Sequence, residues 1–166
     1  EAWKADTGDI GGYLFSPQAE GDAVVAAGGN WVARIAAPTG SLAWRVDTGL
    51  KLSAGAGVGQ GLALAGGSEG ELLALDMSNG QLRWKAVLSS EVTGQPLALA
   101  EAVIARTGDG RVHGLSLADG SRKWLYTRNL PSLSLRGSGG MVARDGVLYA
   151  GFPGGKLVAI ATNNGA

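Results

Sequence analysis

The side chains that could carry out chemistry in this chain are few, and their types exclude several kinds of site. His113 is the only histidine, and the sequence contains no cysteine. A metal site built on a histidine pair therefore lacks its second imidazole, and disulfides, thiolate metal sites and a cysteine nucleophile are excluded. Asp76, Asp109 and Asp119 are not spaced like the ligands of a calcium loop. We interpret these aspartates as turn residues that accept hydrogen bonds from backbone N–H groups.

His113 is best interpreted by comparison with equivalent positions elsewhere in the chain. It precedes an aliphatic residue by two positions, and the residues in the same relation to other aliphatic positions are Ala33, Leu73 and Val158. A position that is apolar in the other copies is a packing position. The sequence thus predicts that His113 is an interior residue, or lies between repeat units, and is not a general base.

Two glycine-rich segments, 66–70 and 108–110, superficially resemble phosphate-binding loops. They lack the lysine and the following helix that such loops need, and they recur at one place in a repeat. We therefore predict that both are hairpin turns. Trp31 has no tryptophan counterpart in the other units, and core packing is its expected role.

The elements that must position these residues are organised by an internal repeat. Three of the five tryptophans recur at intervals of forty residues, and each follows a glycine by four positions: Gly40 and Trp44, Gly80 and Trp84, Gly120 and Trp124. An aliphatic residue stands five positions before each glycine, and a fourth copy appears at Ile160 and Gly165. An additional tryptophan, Trp3, precedes the first copy. Such agreement identifies a repeat protein.

Each repeat contains short apolar runs of four to six residues separated by glycine-rich turns, without a helical period. Four short antiparallel strands per forty residues are typical of a β-propeller blade. The predicted fold is therefore all-β, a propeller of about four blade equivalents, with repeats at roughly 9–48, 49–88, 89–128 and 129–166. Residues 1–8 are expected to be the outer strand of a preceding or closing blade. The chain then forms either a closed four-bladed ring or an arc of a larger ring.

The turn before each repeated tryptophan has its own predicted geometry. Its central pair is Thr-Gly, Asn-Gly or Asp-Gly. Asn-Gly and Asp-Gly pairs tolerate positive φ at both central positions of a two-residue hairpin. We therefore expect tight hairpins at 39–40, 79–80, 119–120 and 164–165.

Composition limits the classes of function. The 166 residues include 29 glycines, 14 basic and 14 acidic side chains, and 45% of the residues are hydrophobic. Zero net charge argues against sequence-independent nucleic-acid binding, which needs an excess of Lys and Arg. The chain is also too apolar and too weakly charged to be intrinsically disordered, and no long apolar run predicts a membrane-spanning segment.

One connection breaks the forty-residue period. The interval from Leu115 to Ile160 is forty-five residues, so five extra residues enter the fourth repeat between Trp124 and Tyr149. This interval contains Leu133, Leu135 and Arg136, which form a compact apolar and cationic patch suited to a protein partner if the segment is extended. Alternatively, the two leucines fold inward beneath the connection as a satellite of the core.

The units resemble the PQQ-like propeller repeat, and segment 132–137, Ser-Leu-Ser-Leu-Arg-Gly, resembles the corresponding loop of the BamB family. This resemblance implies half of an eight-bladed, non-enzymatic propeller on the periplasmic face of the outer membrane of a Gram-negative bacterium. It implies that Leu133, Leu135 and Arg136 bind the periplasmic POTRA domains of BamA, and that the protein assists the folding and insertion of β-barrel outer-membrane proteins. Unfolded outer-membrane proteins are a further expected partner.

The resemblance has limits and one rival. Members of the BamB family are anchored by a lipidated N-terminal cysteine and are about twice as long, so this chain is expected to represent roughly the N-terminal half. The rival is a quinoprotein-type propeller, such as a quinoprotein dehydrogenase that binds pyrroloquinoline quinone and calcium on the ring axis, or a propeller that binds another small ligand there. The dehydrogenase family's pattern includes a vicinal cysteine disulfide, which this chain cannot form. No cofactor and no metal ion are therefore expected.

Overall fold

A computed structural model describes residues 2–8, 16–128 and 140–166, and in these residues every regular element is a β-strand. No helix in this part of the chain is long and apolar enough to cross a membrane.

The first sheet contains β1 (Gln18–Glu20), β2 (Ala23–Gly28), β3 (Trp31–Ala36) and β4 (Leu42–Asp47). The second contains β5 (Leu52–Gly59), β6 (Leu62–Gly67), β7 (Glu71–Asp76) and β8 (Leu82–Val87). The third contains β9 (Leu97–Ala98), β10 (Val103–Arg106), β11 (Arg111–Leu115) and β12 (Arg122–Thr127). The fourth contains β13 (Met141–Arg144), β14 (Val147–Phe152) and β15 (Lys156–Ala161).

Within each sheet the strands lie in chain order, and every pair is antiparallel. Short turns join consecutive strands, so each sheet is a simple meander. This arrangement confirms the predicted all-β architecture, and the four sheets are blades of a β-propeller.

In the four-stranded sheets, the two middle strands are more buried than the last strand. All six residues of β6 are buried, whereas β4, β8 and β12 expose most of their side chains. Strands such as β6 are apolar in consecutive positions because neighbouring sheets cover both of their faces. The first strands of adjacent sheets also contact one another, as β5 does with β1 and β9.

The hydrophobic core lies between the sheets. Val25 and Val32 of the first sheet share a cluster with Leu52 and Leu75 of the second. A second cluster joins the second and third sheets: Leu62, Leu64, Leu72, Trp84, Val103, Ala105 and Leu115. A third joins the third and fourth: Ile104, Val112, Trp124, Leu148, Ala150 and Ile160. Burial of apolar area between successive sheets therefore holds the arrangement together.

The repeated tryptophans connect each sheet to the next. The indole Nε1 atoms donate hydrogen bonds to carbonyl oxygens one or two residues after the third strand of the following sheet: Trp3 to Ala37, Trp44 to Met77, Trp84 to Leu117 and Trp124 to Thr162, at 2.7–2.9 Å. Residues 2–8 pair with no described strand, yet Trp3 makes the same contact as the other three. Each ring also covers the glycine of the turn after that third strand, where a Cβ atom would lie within 3 Å of indole atoms: Gly40, Gly80, Gly120 and Gly165.

The tight hairpins predicted at these turns were wrong. Only the glycine of each pair has positive φ, between 72° and 76°. Its N–H donates to the carbonyl four residues earlier, as Gly80 does to Asp76 at 2.8 Å, so the loop is longer than two residues. The paired strands shift register directly after this loop in the first three sheets. Positive φ at both central positions occurs instead at Gln60-Gly61 and Asp145-Gly146.

Candidate functional site

The predicted docking residues Leu133, Leu135 and Arg136 lie outside the residues that the structure describes. Their segment joins β12, the outer strand of the third sheet, to β13, the first strand of the fourth. The equivalent connections are residues 48–51 between the first two sheets and 88–96 between the second and third, whereas this one is 128–140. The longest connection between the sheets is therefore the one that carries the predicted patch.

The described residues at both ends of this connection meet the same part of the fourth sheet. The guanidinium of Arg128 lies 5.7 Å from the centre of the Phe152 ring, and the Tyr126 ring lies 6.1 Å from it in a tilted arrangement. At the other end, Gly151 N–H donates to the carbonyl of Gly140. Gly151 and Phe152 thus bring the two ends of the connection together.

Arg106 supports this corner from the third sheet. It is 4% exposed, its Nη1 donates to the carbonyl of Gly151 at 2.6 Å, and its guanidinium lies 4.6 Å from the centre of the Phe152 ring. Burial lowers the pKa of Arg106 below its ordinary value. A buried guanidinium over an aromatic ring is a strong, directional contact, so the third and fourth sheets are rigidly joined beside the connection.

A second feature is a half-open groove between the second and third sheets, with a volume of about 710 Å³. Its walls come from the end of β8, the residues that follow it, β11, and the beginning of β12. It is lined by Lys85, Ala86, Val87, Leu88, Ser89, Arg111, His113, Leu115, Asp119, Gly120, Ser121, Arg122 and Leu125. Apolar side chains and cationic side chains therefore share one surface.

His113 lies in the wall of this groove and is 3% exposed, in agreement with its predicted position in the interior between units. Its Nε2 atom lies 3.3 Å from the Ser89 hydroxyl and 3.2 Å from the Thr107 hydroxyl. Thr107 donates to Asp109, which also accepts from Arg111 at 2.9 Å. Burial, with smaller contributions from Arg111 and Arg122, lowers the pKa of His113 despite the opposing charge of Asp109, so the ring is neutral at pH 7.

This network is not arranged as a catalytic triad. Both hydroxyls approach the same imidazole nitrogen, and the hydrogen bonds of Asp109 are to these hydroxyls and not to the ring. A triad places the serine and the carboxylate on opposite nitrogens. The letters of segment 66–70 do match G-x-S-x-G, but Ser68 lies in the turn between β6 and β7, as predicted for a hairpin, and not at a strand-to-helix elbow.

The aspartates act mainly as turn residues. Asp76 accepts hydrogen bonds from Ser78 and Arg83, which lower its pKa to about 2. Asp119 accepts from the backbone N–H and hydroxyl of Ser121, and its pKa is also lowered. Among residues 2–8, 16–128 and 140–166, no three histidine, aspartate or glutamate side chains lie close enough to hold a metal ion.

The sequence of this chain is similar to proteins of one known family. A family model described as "Outer membrane protein assembly factor BamB" matches residues 28–166. The chain belongs to the BamB family. The BamB of Burkholderia pseudomallei is 42% identical over 99% of this chain, which corresponds to 44% of that protein.

Solved structures agree with this assignment. The crystal structure of BamB from Moraxella catarrhalis matches with a TM-score of 0.85 and 28% identity, over 92% of this chain and 46% of that one. The chain thus spans less than half the length of these BamB proteins. The quinohemoprotein alcohol dehydrogenase of Comamonas testosteroni also matches, with a TM-score of 0.77 and 18% identity over 99% of this chain and 35% of that one. This second likeness shows the fold alone.

Proposed function

We propose that this chain is part of a non-enzymatic scaffold that assists the folding and insertion of β-barrel proteins into the outer membrane. The observation that carries the proposal is the family match over residues 28–166, to proteins named as outer membrane protein assembly factors. The proposed location is the periplasmic face of the outer membrane, with a lipid anchor in the full-length protein. The complete ring is proposed to have eight blades.

The proposed partner is BamA, bound through its POTRA domains by Leu133, Leu135 and Arg136. The length of connection 128–140 supports this assignment, because an insertion at one junction of a regular array adds surface without disturbing the strands. The contacts of Arg128 and Gly140 with the fourth sheet add further support. They fix both ends of the connection on a rigid base, which reduces the ordering cost of binding.

The docking proposal is tested by binding of purified chain to immobilised POTRA domains. Leu133→Asp, Leu135→Asp and Arg136→Glu are each expected to weaken binding at least tenfold, since buried apolar and arginine anchors dominate interfaces. Leu82→Asp and Arg144→Glu are the matched controls, because both residues are exposed in described strands. Unchanged affinity in the three connection variants would contradict the proposal, as would equal losses in the controls.

The alternative is a quinoprotein-type propeller, which the fold likeness to quinohemoprotein alcohol dehydrogenase favours. A visible absorbance scan after incubation with pyrroloquinoline quinone and calcium, followed by desalting, distinguishes the two functions. A scaffold retains no quinone absorbance. Retention of stoichiometric quinone would favour the alternative.

A further inference from the structure

The groove between the second and third sheets differs from the junction between the first and second sheets. At a spacing of forty residues, Arg122 corresponds to Leu82, His113 to Leu73, and Arg111 to Glu71. The junction of the first and second sheets therefore has apolar residues at two of these positions and an acidic residue at the third. Since the first and second junctions join sheets of the same strand order through the same indole hydrogen bond, packing between sheets does not require the polar residues at the second junction.

The charges that line the groove are unbalanced. Lys85, Arg111 and Arg122 face one lining carboxylate, Asp119. Arg111 is paired with Asp109, whereas Lys85 and Arg122 form no ion pair with another described residue. The chain as a whole has zero net charge, so this surplus of cations is local and does not reflect a basic protein.

The cations stand beside apolar side chains that remain in contact with solvent. Val87 is 73% exposed and Leu125 is 38% exposed, and both line the groove. The buried side chain of Leu115 lies in the same lining. An extended polypeptide projects its side chains to opposite faces in alternation, so one segment can meet apolar and cationic positions together.

The polar wall of the groove is fixed in place. Successive polar contacts link Ser89, His113, Thr107 and Asp109. The carboxylate of Asp109 accepts a hydrogen bond from Arg111 and so holds that side chain in place. His113 remains neutral at pH 7 because burial lowers its pKa, so it contributes hydrogen bonding without a competing charge. A preformed groove of about 710 Å³ lies within the range of protein ligand sites.

We propose that the groove between the second and third sheets binds an extended, acidic polypeptide segment of a partner protein. Carboxylate side chains of that segment pair with Lys85 and Arg122, and its apolar side chains cover Val87 and Leu125. Arg128 and Gly140, the described residues of connection 128–140, do not line the groove, and the inference is argued without docking to BamA.

The test is fluorescence anisotropy with a fluorescein-labelled nonapeptide that alternates glutamate and leucine. Saturable binding is expected, about tenfold tighter than that of the same peptide with glutamine in place of glutamate. The double variant Lys85→Glu/Arg122→Glu is expected to weaken binding of the glutamate peptide about tenfold or more. Raising the salt concentration from 50 to 200 mM is expected to weaken it as well, because exposed charges are screened.

The matched control is Lys123→Glu, which reverses the charge of the residue next to Arg122. Lys123 does not line the groove, and its Nζ atom donates to the carbonyl of Glu101. This variant, and Leu133→Asp in the connection, are expected to bind the peptide like the wild-type chain. Equal affinity for the glutamate and glutamine peptides, an unaffected double variant, or an equal loss in Lys123→Glu would each overturn the proposal.

Discussion

At the scale of single residues, each junction between sheets contains a contact between a turn glycine and the tryptophan of the preceding sheet. Gly120 has a φ of 73°, and a Cβ atom there would lie 2.5 Å from the Trp84 ring. Gly49 has a similar φ of 67°, but no atom lies within 4 Å of its Cβ position. The two glycines therefore share a backbone conformation and differ in their surroundings.

This difference predicts the result of two alanine substitutions. Gly49→Ala is expected to lower the free energy of unfolding by about 1–2 kcal/mol, the cost of a left-handed residue with a Cβ atom. Gly120→Ala carries the same cost and adds about 1–3 kcal/mol because the ring must shift. Urea denaturation followed by tryptophan fluorescence measures both values. Equal losses in the two variants would show that the indole contact contributes nothing.

At the scale of elements, the hairpin between β7 and β8 shows how a side chain stabilises a turn. Asp76 accepts from the backbone N–H of Ser78 at 2.8 Å and from Arg83 Nη1 at 2.8 Å. The Asp76 N–H donates to the carbonyl of Gln81, and its carbonyl accepts from Gly80. The charged carboxylate thus accepts from Ser78 in the turn and from Arg83 in β8, and these hydrogen bonds lower its pKa from 3.8 to about 2.

The lowered pKa of Asp76 predicts a pH dependence of stability. A carboxylate whose pKa is lower in the folded state stabilises the fold above pH 3.8, and this contribution is lost as the pH falls towards about 2. Asp76→Asn is therefore expected to reduce the urea midpoint at pH 6 and to converge with the wild type near pH 2. The control is Asp22→Asn, which removes a carboxylate that is largely exposed. A difference between Asp76→Asn and wild type that is constant with pH would contradict this explanation.

Strands and turns differed in how well the sequence predicted them. Apolar runs predicted the buried strands because burial on both faces leaves a local pattern, and Trp31 is buried as expected. The turn at Gly80 was predicted wrongly because its geometry depends on Trp44, a residue of the preceding sheet that no local pattern reveals. The hydroxyl partners of His113 come from residues that follow β8 and β10, and they were missed for the same reason. The repeat did hold a signal for the groove, since Arg122 occupies the position of Leu82.

At the scale of the whole molecule, the hydrophobic clusters and indole hydrogen bonds of residues 2–8, 16–128 and 140–166 join neighbouring sheets. The three hydrophobic clusters each span two successive sheets, and one indole donor crosses each junction. In repeat proteins of this kind, stability is close to a sum of unit terms and nearest-neighbour terms. A change at one junction should therefore loosen the adjoining sheets and leave distant ones unaffected.

Removing one indole donor tests this independence of the junctions. Trp124→Phe deletes the hydrogen bond to the Thr162 carbonyl, worth about 1 kcal/mol, and is expected to speed amide exchange in β14 and β15 about fivefold. Trp44→Phe removes the bond to the Met77 carbonyl and should act instead on β6 and β7, the equivalent strands of the second sheet. Hydrogen exchange measured by mass spectrometry on peptide fragments compares the two variants directly. If both variants instead raised the rate of amide exchange uniformly throughout the chain, the sheets would open together as one cooperative unit. The coupling across the junctions would then exceed the stability of any single sheet.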